Sequence, residues 1–237
     1  MGKDYRRRLN IKDGAFAAIP LVIGYIPVAM AFGILSKNTG ISLMDSFLFS
    51  VLVFAGASQF MALNLLSLGT GIGQIILTTL LVNSRHFLMS ASLTTKLTKD
   101  MKKWIPFIAF GVTDESFSVA SFKEEELTKE FMLSLQYITY LSWILGTVLG
   151  YILGQVLPTI IKDSMGIALY SMFISILIPE AKKSNKVLIM AVLAGIVNTL
   201  LSYLKITTDG WNLVLTIILV SILGAFTMKE KEVSICE

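Results

Sequence analysis

Cysteine is almost missing from this chain: Cys236, second from the end, is the only one. No intramolecular disulfide and no cysteine-based metal site can be built from it. Histidine is as scarce, and His86 alone cannot make a histidine-rich metal centre. No Gly-x-x-x-x-Gly-Lys-Ser/Thr run occurs, and no glycine-rich fingerprint follows a strand, so ATP and dinucleotide chemistry are excluded. No nucleophile stands beside a base in a readable pattern, so neither enzymatic chemistry nor a cofactor is expected. Charge is thin as well: 15% of residues are Asp, Glu, Lys or Arg, against about 25% in soluble domains.

Apolar sequence fills the space that charge leaves. Hydrophobic residues make up 54% of the chain, and the mean hydropathy is +0.74. The 237 residues can supply about seven or eight spans of roughly 20 residues each, with almost no soluble domain. Apolar stretches fall at about 14–35, 43–68, 71–93, 104–121, 132–157, 164–179, 187–204 and 211–228. The expected fold is therefore an all-α, polytopic single membrane domain. It divides into a basic leader at 1–13, a first half at 14–121 and a second half at 122–237.

The leader carries Lys3, Arg6, Arg7, Arg8 and Lys12 ahead of an apolar run from Ala15 to Leu35. That run exceeds a signal-peptide core of about 7–15 residues and lacks a small-x-small cleavage site, so it reads as a first transmembrane helix. The net charge of +4 needs no nucleic-acid partner, because Lys and Arg gather in loops as in cytoplasmic loops of membrane proteins. With the amino terminus inside, a simple eight-span arrangement puts most basic residues in the cytoplasm of a plasma-membrane protein. It leaves Lys96, Lys99, Lys102 and Lys103 together on the outside, a local violation that a re-entrant segment within 43–121 would remove. A faint repeat at an offset of 126 pairs Gly24-Tyr25-Ile26 with Gly150-Tyr151-Ile152, Gly40-Ile41 with Gly166-Ile167, Leu43 with Leu169 and Phe47 with Phe173. Transporters are often built from two related halves.

Three stretches can carry chemistry. The first is Asn83-Ser84-Arg85-His86, set inside an apolar segment where a guanidinium costs about 2.5–3.5 kcal/mol even on a lenient scale. At about 100° per residue, Asn83 and His86 share a helix face and Arg85 projects elsewhere. Arg85 suits a carboxylate clamp, and His86 titrates near neutrality and suits a coupling proton. The second is Thr113-Asp114-Glu115-Ser116, whose adjacent carboxylates cannot both stay ionised and unpaired in an apolar setting. They suit a substrate ammonium, a pairing with Arg85, or proton exchange. The third is Ala55-Gly56-Ala57-Ser58-Gln59 between Phe54 and Phe60, together with Gly24-Tyr25-Ile26-Pro27-Val28-Ala29. Either stretch can be a continuous helix packed through small residues, or a break whose half-helix amino terminus offers N–H groups to a carboxylate.

The runs Gly24-Tyr25-Ile26-Pro27-Val28-Ala29-Met30-Ala31-Phe32-Gly33 and Val53-Phe54-Ala55-Gly56-Ala57-Ser58-Gln59-Phe60, followed by Asn83-x-Arg85-His86 and Thr113-Asp114-Glu115, resemble the AzlC family in order and spacing. These are the large subunits of branched-chain amino acid exporters. Ser84 departs from the apolar residue common there. The resemblance implies export of leucine, isoleucine, valine and their analogues, with a small AzlD-type membrane subunit as partner. The resulting expectation is a secondary transporter, proton-coupled, in which Gly56, Ser58, Gln59, Asn83, Arg85, Asp114 and Glu115 bind substrate. His86, Asp114 and Glu115 are the candidates for the coupling proton. A channel for another small solute, or an assembly subunit using Arg85 and the acids as interhelical glue, stands as the alternative.

Overall fold

The computed structural model describes residues 8–97, 99–123, 125–154, 184–204 and 209–227, with isolated positions between 156 and 182. The regular elements among them are helical. Contacts divide the chain into two compact units, Met1–Ser67 with Val82–Leu169, and Leu68–Leu81 with Tyr170–Glu237.

The first unit is built on two long helices. Helix α1 spans Ile11–Asn38 and starts from a capping box in which Asn10 and Asp13 satisfy each other's backbone N–H groups. Pro20 and Pro27 lie inside it without breaking it, so the Gly24–Ala29 stretch is continuous helix. Helix α7 spans Lys129–Leu153, with Thr128 capping it through the N–H of Phe131. The two run parallel, because Gly14 meets Phe131, Gly146 meets Ile26 and Ala29, Gly150 meets Met30, and Gly154 meets Ile34. A Cβ on Gly150 would stand 2.1 Å from the Met30 carbonyl oxygen. Small residues thus allow backbone-to-backbone contact, which is how helices associate where no hydrophobic force acts between them. We call the end holding Leu9 and Thr128, joined by a 2.6 Å hydrogen bond, the near end, and the end holding Asn38 and Leu153 the far end.

The apolar stretches 43–68 and 104–121 are hairpins of half-helices, so of the two readings open for Ala55–Gln59 the break is the one that forms. Helices α2 (Leu43–Leu52) and α3 (Gly56–Ser67) are separated by a break at Val53, Phe54 and Ala55. Ile41 meets Tyr151 at the far end, Ser50 meets Thr147, Val51 meets Tyr140, and Phe60 then returns to Phe32. The pair therefore enters from the far end, turns at mid-depth and goes back. Helices α5 (Ile105–Phe110) and α6 (Asp114–Ser121) do the same from the near end, after a 3₁₀ turn at Lys99–Trp104. Trp104 lies by Lys129, Ile108 by Gln136 and Phe110 by Tyr140, and Lys96 then bonds the Ser121 carbonyl back at the near end. Helix α4 spans Ile72–Thr94. Its second part runs antiparallel to α1, from Arg85 at the second hairpin's turn to Leu93 in the near-end apolar cluster with Leu9, Met101 and Leu127.

This path removes the charge violation of the simple eight-span arrangement. The Lys96–Lys103 loop sits at the same end as Arg8, Lys123 and Lys129: Arg8 pairs with Glu126 at 3.1 Å, and Leu97 bridges Leu127. A re-entrant α5–α6 brings the chain back to the side it left.

In the second unit, α8 (Asn185–Leu204) and α9 (Asp209–Thr227) pack together, with Asn212 donating to Ser202 and Met190 against Gly224. Among the described residues α1, α7 and α8 are long and apolar enough to cross a membrane. The stretch 164–179 falls for the most part outside the described residues, as do Gly166, Ile167, Leu169 and Phe173 of the repeat and Cys236. Of the remaining repeat pairs, Gly150 is packed against Met30 while Gly24 has open space around it.

Candidate functional site

The turns of the two hairpins meet at mid-depth around Tyr25, Tyr140 and Trp143. The Phe54 ring packs edge-on against Tyr25 at 6.2 Å and Tyr140 at 5.2 Å, Phe110 packs against Tyr140 at 5.7 Å, and Tyr25 packs against Trp143 at 5.4 Å. A half-helix turn leaves backbone groups without intrahelical partners, and side chains answer for them here.

In the first turn, Gln59 is fully buried. Its amide donates to the carbonyls of Phe49 at 2.9 Å and Val53 at 2.6 Å, and its Oε1 accepts the Trp143 indole N–H at 2.9 Å. Ser58 donates to the Ala55 carbonyl at 2.9 Å. Gly56 lies under the Trp143 ring, where a Cβ would come within 2.6 Å of it. All three expected ligands of this stretch therefore shape the turn, and its N–H groups at Gly56–Ser58 start a new helix in the interior.

The second turn holds the charged groups. Thr113 caps α6 reciprocally with Ser116. The Tyr25 hydroxyl lies 2.7 Å from Thr113 Oγ1 and donates to Glu115 Oε2 at 2.6 Å. Arg85 pairs through Nη2 with Asp114 Oδ2 at 3.0 Å. His86 Nδ1 is 2.8 Å from the Val112 carbonyl. A carbonyl can only accept, so Nδ1 carries the hydrogen and neutral His86 keeps a lone pair on Nε2. Arg85 and His86 thus reach the same turn despite projecting differently from α4, because Val112 and Asp114 present themselves two residues apart.

At this turn Arg85 Nε, His86 Nε2, Glu115 Oε1 and Gln136 Oε1 are buried without a hydrogen-bond partner, as is Asn83 Oδ1 one helical turn before His86 on α4. Gln136 belongs to the set through Ile108, whose carbonyl takes its amide at 2.9 Å, and Gly111, over which its side chain lies. Buried polar atoms are nearly always paired. Four unpaired acceptors beside one guanidinium N–H can take a small polar ligand or water. An open near-end groove of about 370 Å³ lined by Ile11, Trp104, Lys129 and Tyr137 carries none of these atoms.

Sequence reasoning found Arg85, His86, Asp114 and Glu115, which the structure brings together, and Gly56, Ser58 and Gln59, which it gathers at the opposing turn. It missed Tyr25, Gln136, Tyr140 and Trp143 as site residues. A Gln inside an apolar stretch was the available signal for Gln136; Tyr25 stood in the Gly24–Ala29 stretch already singled out but was not named for itself, and Tyr140 and Trp143 gave no signal.

The model of the AzlC protein family matches residues 20–157, a span that contains both hairpins, α4, all of α7 and most of α1. The chain belongs to the AzlC family. It is 31% identical over 192 residues to the inner membrane protein YgaZ of Escherichia coli, covering 77% of this chain and 78% of that one. It is 33% identical to a membrane protein of Archaeoglobus fulgidus, over 84% of this chain and 88% of its relative. The branched-chain amino acid transport protein AzlC of Bacillus subtilis is 27% identical over 90% of this chain and 82% of its own. No solved structure matches. Membership places the chain among membrane proteins associated with transport, and the family match covers every residue of the site.

Proposed function

We propose that this protein exports branched-chain amino acids across the plasma membrane as a proton-coupled secondary transporter, with a small AzlD-type subunit as partner. The observation that carries the reading is the cluster of unpaired buried polar atoms where two opposed re-entrant turns meet. Discontinuous helices meeting at mid-membrane are the usual place for a transporter's substrate. The name of the Bacillus relative supplies the substrate class.

The roles follow from the chemistry of an aliphatic zwitterion. Its carboxylate takes the free Nε edge of Arg85 or the N–H groups of Gly56–Ser58, and its ammonium takes Asp114 or Glu115, with Asn83 at the rim. The aliphatic tail lies among the rings of Phe54, Phe60, Phe110 and Tyr140. Gln59 holds the first turn in the shape this needs. His86, Asp114 and Glu115 are the groups able to carry the coupling proton. The two hairpins enter from opposite ends, so movement of one or the other opens the site to one side at a time. The near end, with its excess of Lys and Arg, faces the cytoplasm.

A second reading takes Arg85 and Asp114 as interhelical glue in an assembly subunit, and their ion pair favours it. That reading leaves the unpaired atoms at Asn83, Glu115 and Gln136 unexplained. The deciding experiment is efflux of preloaded leucine from cells making the chain, with and without a small AzlD-type subunit, before and after a protonophore. The expected result is efflux against a gradient that needs the subunit and collapses with the protonophore. No efflux in either setting, with the protein present in the membrane, refutes the exporter reading.

A further inference from the structure

The second turn carries two adjacent carboxylates with different surroundings. Asp114 is neutralised by Arg85 at 3.0 Å. Glu115 meets no cation among the described residues: Oε2 accepts the Tyr25 hydroxyl at 2.6 Å, and Oε1 is buried with no partner. The groups facing it are Tyr25 from α1, Arg85 and His86 from α4, and Asp114 on its own helix. Helix α7 contributes the uncharged Gln136 and the phenol of Tyr140. Arg85 is held by Asp114, and His86 directs its N–H to Val112. Oε1 of Glu115 is thus a buried acceptor to which the described residues supply no donor.

Resting on the exporter reading, we propose that Glu115 is the exchange point of the transport cycle, holding either a proton or the ammonium of the amino acid, never both. When the amino acid enters, the carboxylic O–H bond breaks and the proton leaves to the water on the side then open. The ammonium N–H donors replace it at Oε1. When the amino acid leaves to the outside, a proton from that side restores the O–H, and the neutral site can return. One carboxylate shared by two competing cations is sufficient for antiport, so an inward proton gradient drives outward amino acid flux. Tyr25 is the positioning residue: its hydroxyl bonds Oε2 and directs Oε1 into the site. Asp114 takes no part in the exchange, since giving up Arg85 would leave a guanidinium unpaired.

The test uses the purified full chain in weakly buffered detergent solution, with leucine as the probe and a pH indicator as the readout. Wild type should release up to one proton per leucine bound. For a one-for-one exchange, lowering the pH should weaken apparent leucine affinity by up to about tenfold per pH unit, as linkage requires. E115Q should bind leucine more weakly, release no proton and show a flat pH dependence. E126Q, whose carboxylate serves the Arg8 pair at the near end, should release protons as wild type does. Infrared difference spectra of wild type give a readout independent of any variant: leucine should remove a carboxylic-acid C=O band. Leucine binding by wild type without proton release or loss of that band overturns this inference alone, as does proton release by E115Q equal to that of wild type. Absence of leucine binding overturns the exporter reading and this inference with it.

Discussion

Arg85 contacts one carboxylate of the Asp114–Glu115 pair and leaves the other to Tyr25. Removing either member of the ion pair strands a charge. A fully buried pair loses about 3–5 kcal/mol on such a change. Here the side chains are 36% and 20% exposed, so R85A and D114N should each lose about 1–3 kcal/mol. Both should lose most export, and R85A/D114A should regain part of the stability but not the transport. Thermal unfolding in detergent beside leucine efflux measures the two separately, and full export by both single variants would refute the site. Gln59 predicts a different pattern. Q59A leaves the Trp143 indole N–H without its acceptor, at about 1–3 kcal/mol for an unsatisfied buried group, and takes one of two donors from each of the Phe49 and Val53 carbonyls. Its loss of export should track its loss of stability. The charged residues were legible in the sequence because a cation or acid in apolar surroundings is conspicuous. Tyr140 and Trp143 were not, and Tyr25 was marked only through its stretch, because an aromatic residue in an apolar helix reads the same whether it packs against lipid or frames a site.

The helices show where sequence reading reaches its limit. Bounds of α1, α4, α7, α8 and α9 fall within a few residues of the apolar stretches, since hydropathy reports burial in lipid directly. The hairpins are harder to read, because a half-helix that turns back is as apolar as one that continues. The small and polar run Ala55–Gln59 left a packed helix and a break equally open, since Val53–Ala55 carries no polar residue and the turn is held by Gln59 and Tyr140. The α5–α6 turn was better marked, by a Thr cap and two acids at the centre of an apolar run. Contact between α1 and α7 depends on glycine at positions that only the parallel register reveals. At Gly33 a Cβ would stand 2.1 Å from the Thr147 carbonyl. G33A should therefore destabilise the chain by about 1–3 kcal/mol through overpacking, whereas G24A, with open space around it, should be close to neutral. Melting temperatures of the two variants decide this, and equal values would contradict the parallel packing.

At the scale of the molecule, re-entry of both hairpins sets which loops share a side. In a C236S background, single cysteines at Lys102 and Lys123 should be labelled by an impermeant maleimide in inside-out vesicles and protected in intact cells. Lys37→Cys should show the reverse. Opposite labelling of Lys102→Cys and Lys123→Cys would restore the simple eight-span path and remove the opposed turns. The central claim is that the amino acid sits where those turns meet, and Trp143 lies there between Gly56, Gln59 and Tyr25. The most direct measurement is leucine titration of a W104F/W211F variant, in which Trp143 is the remaining indole. A saturable change in Trp143 emission, shared by isoleucine and valine and matching the affinity from equilibrium dialysis, is the predicted result. Leucine binding by dialysis with Trp143 emission unchanged would place the substrate elsewhere and contradict the account.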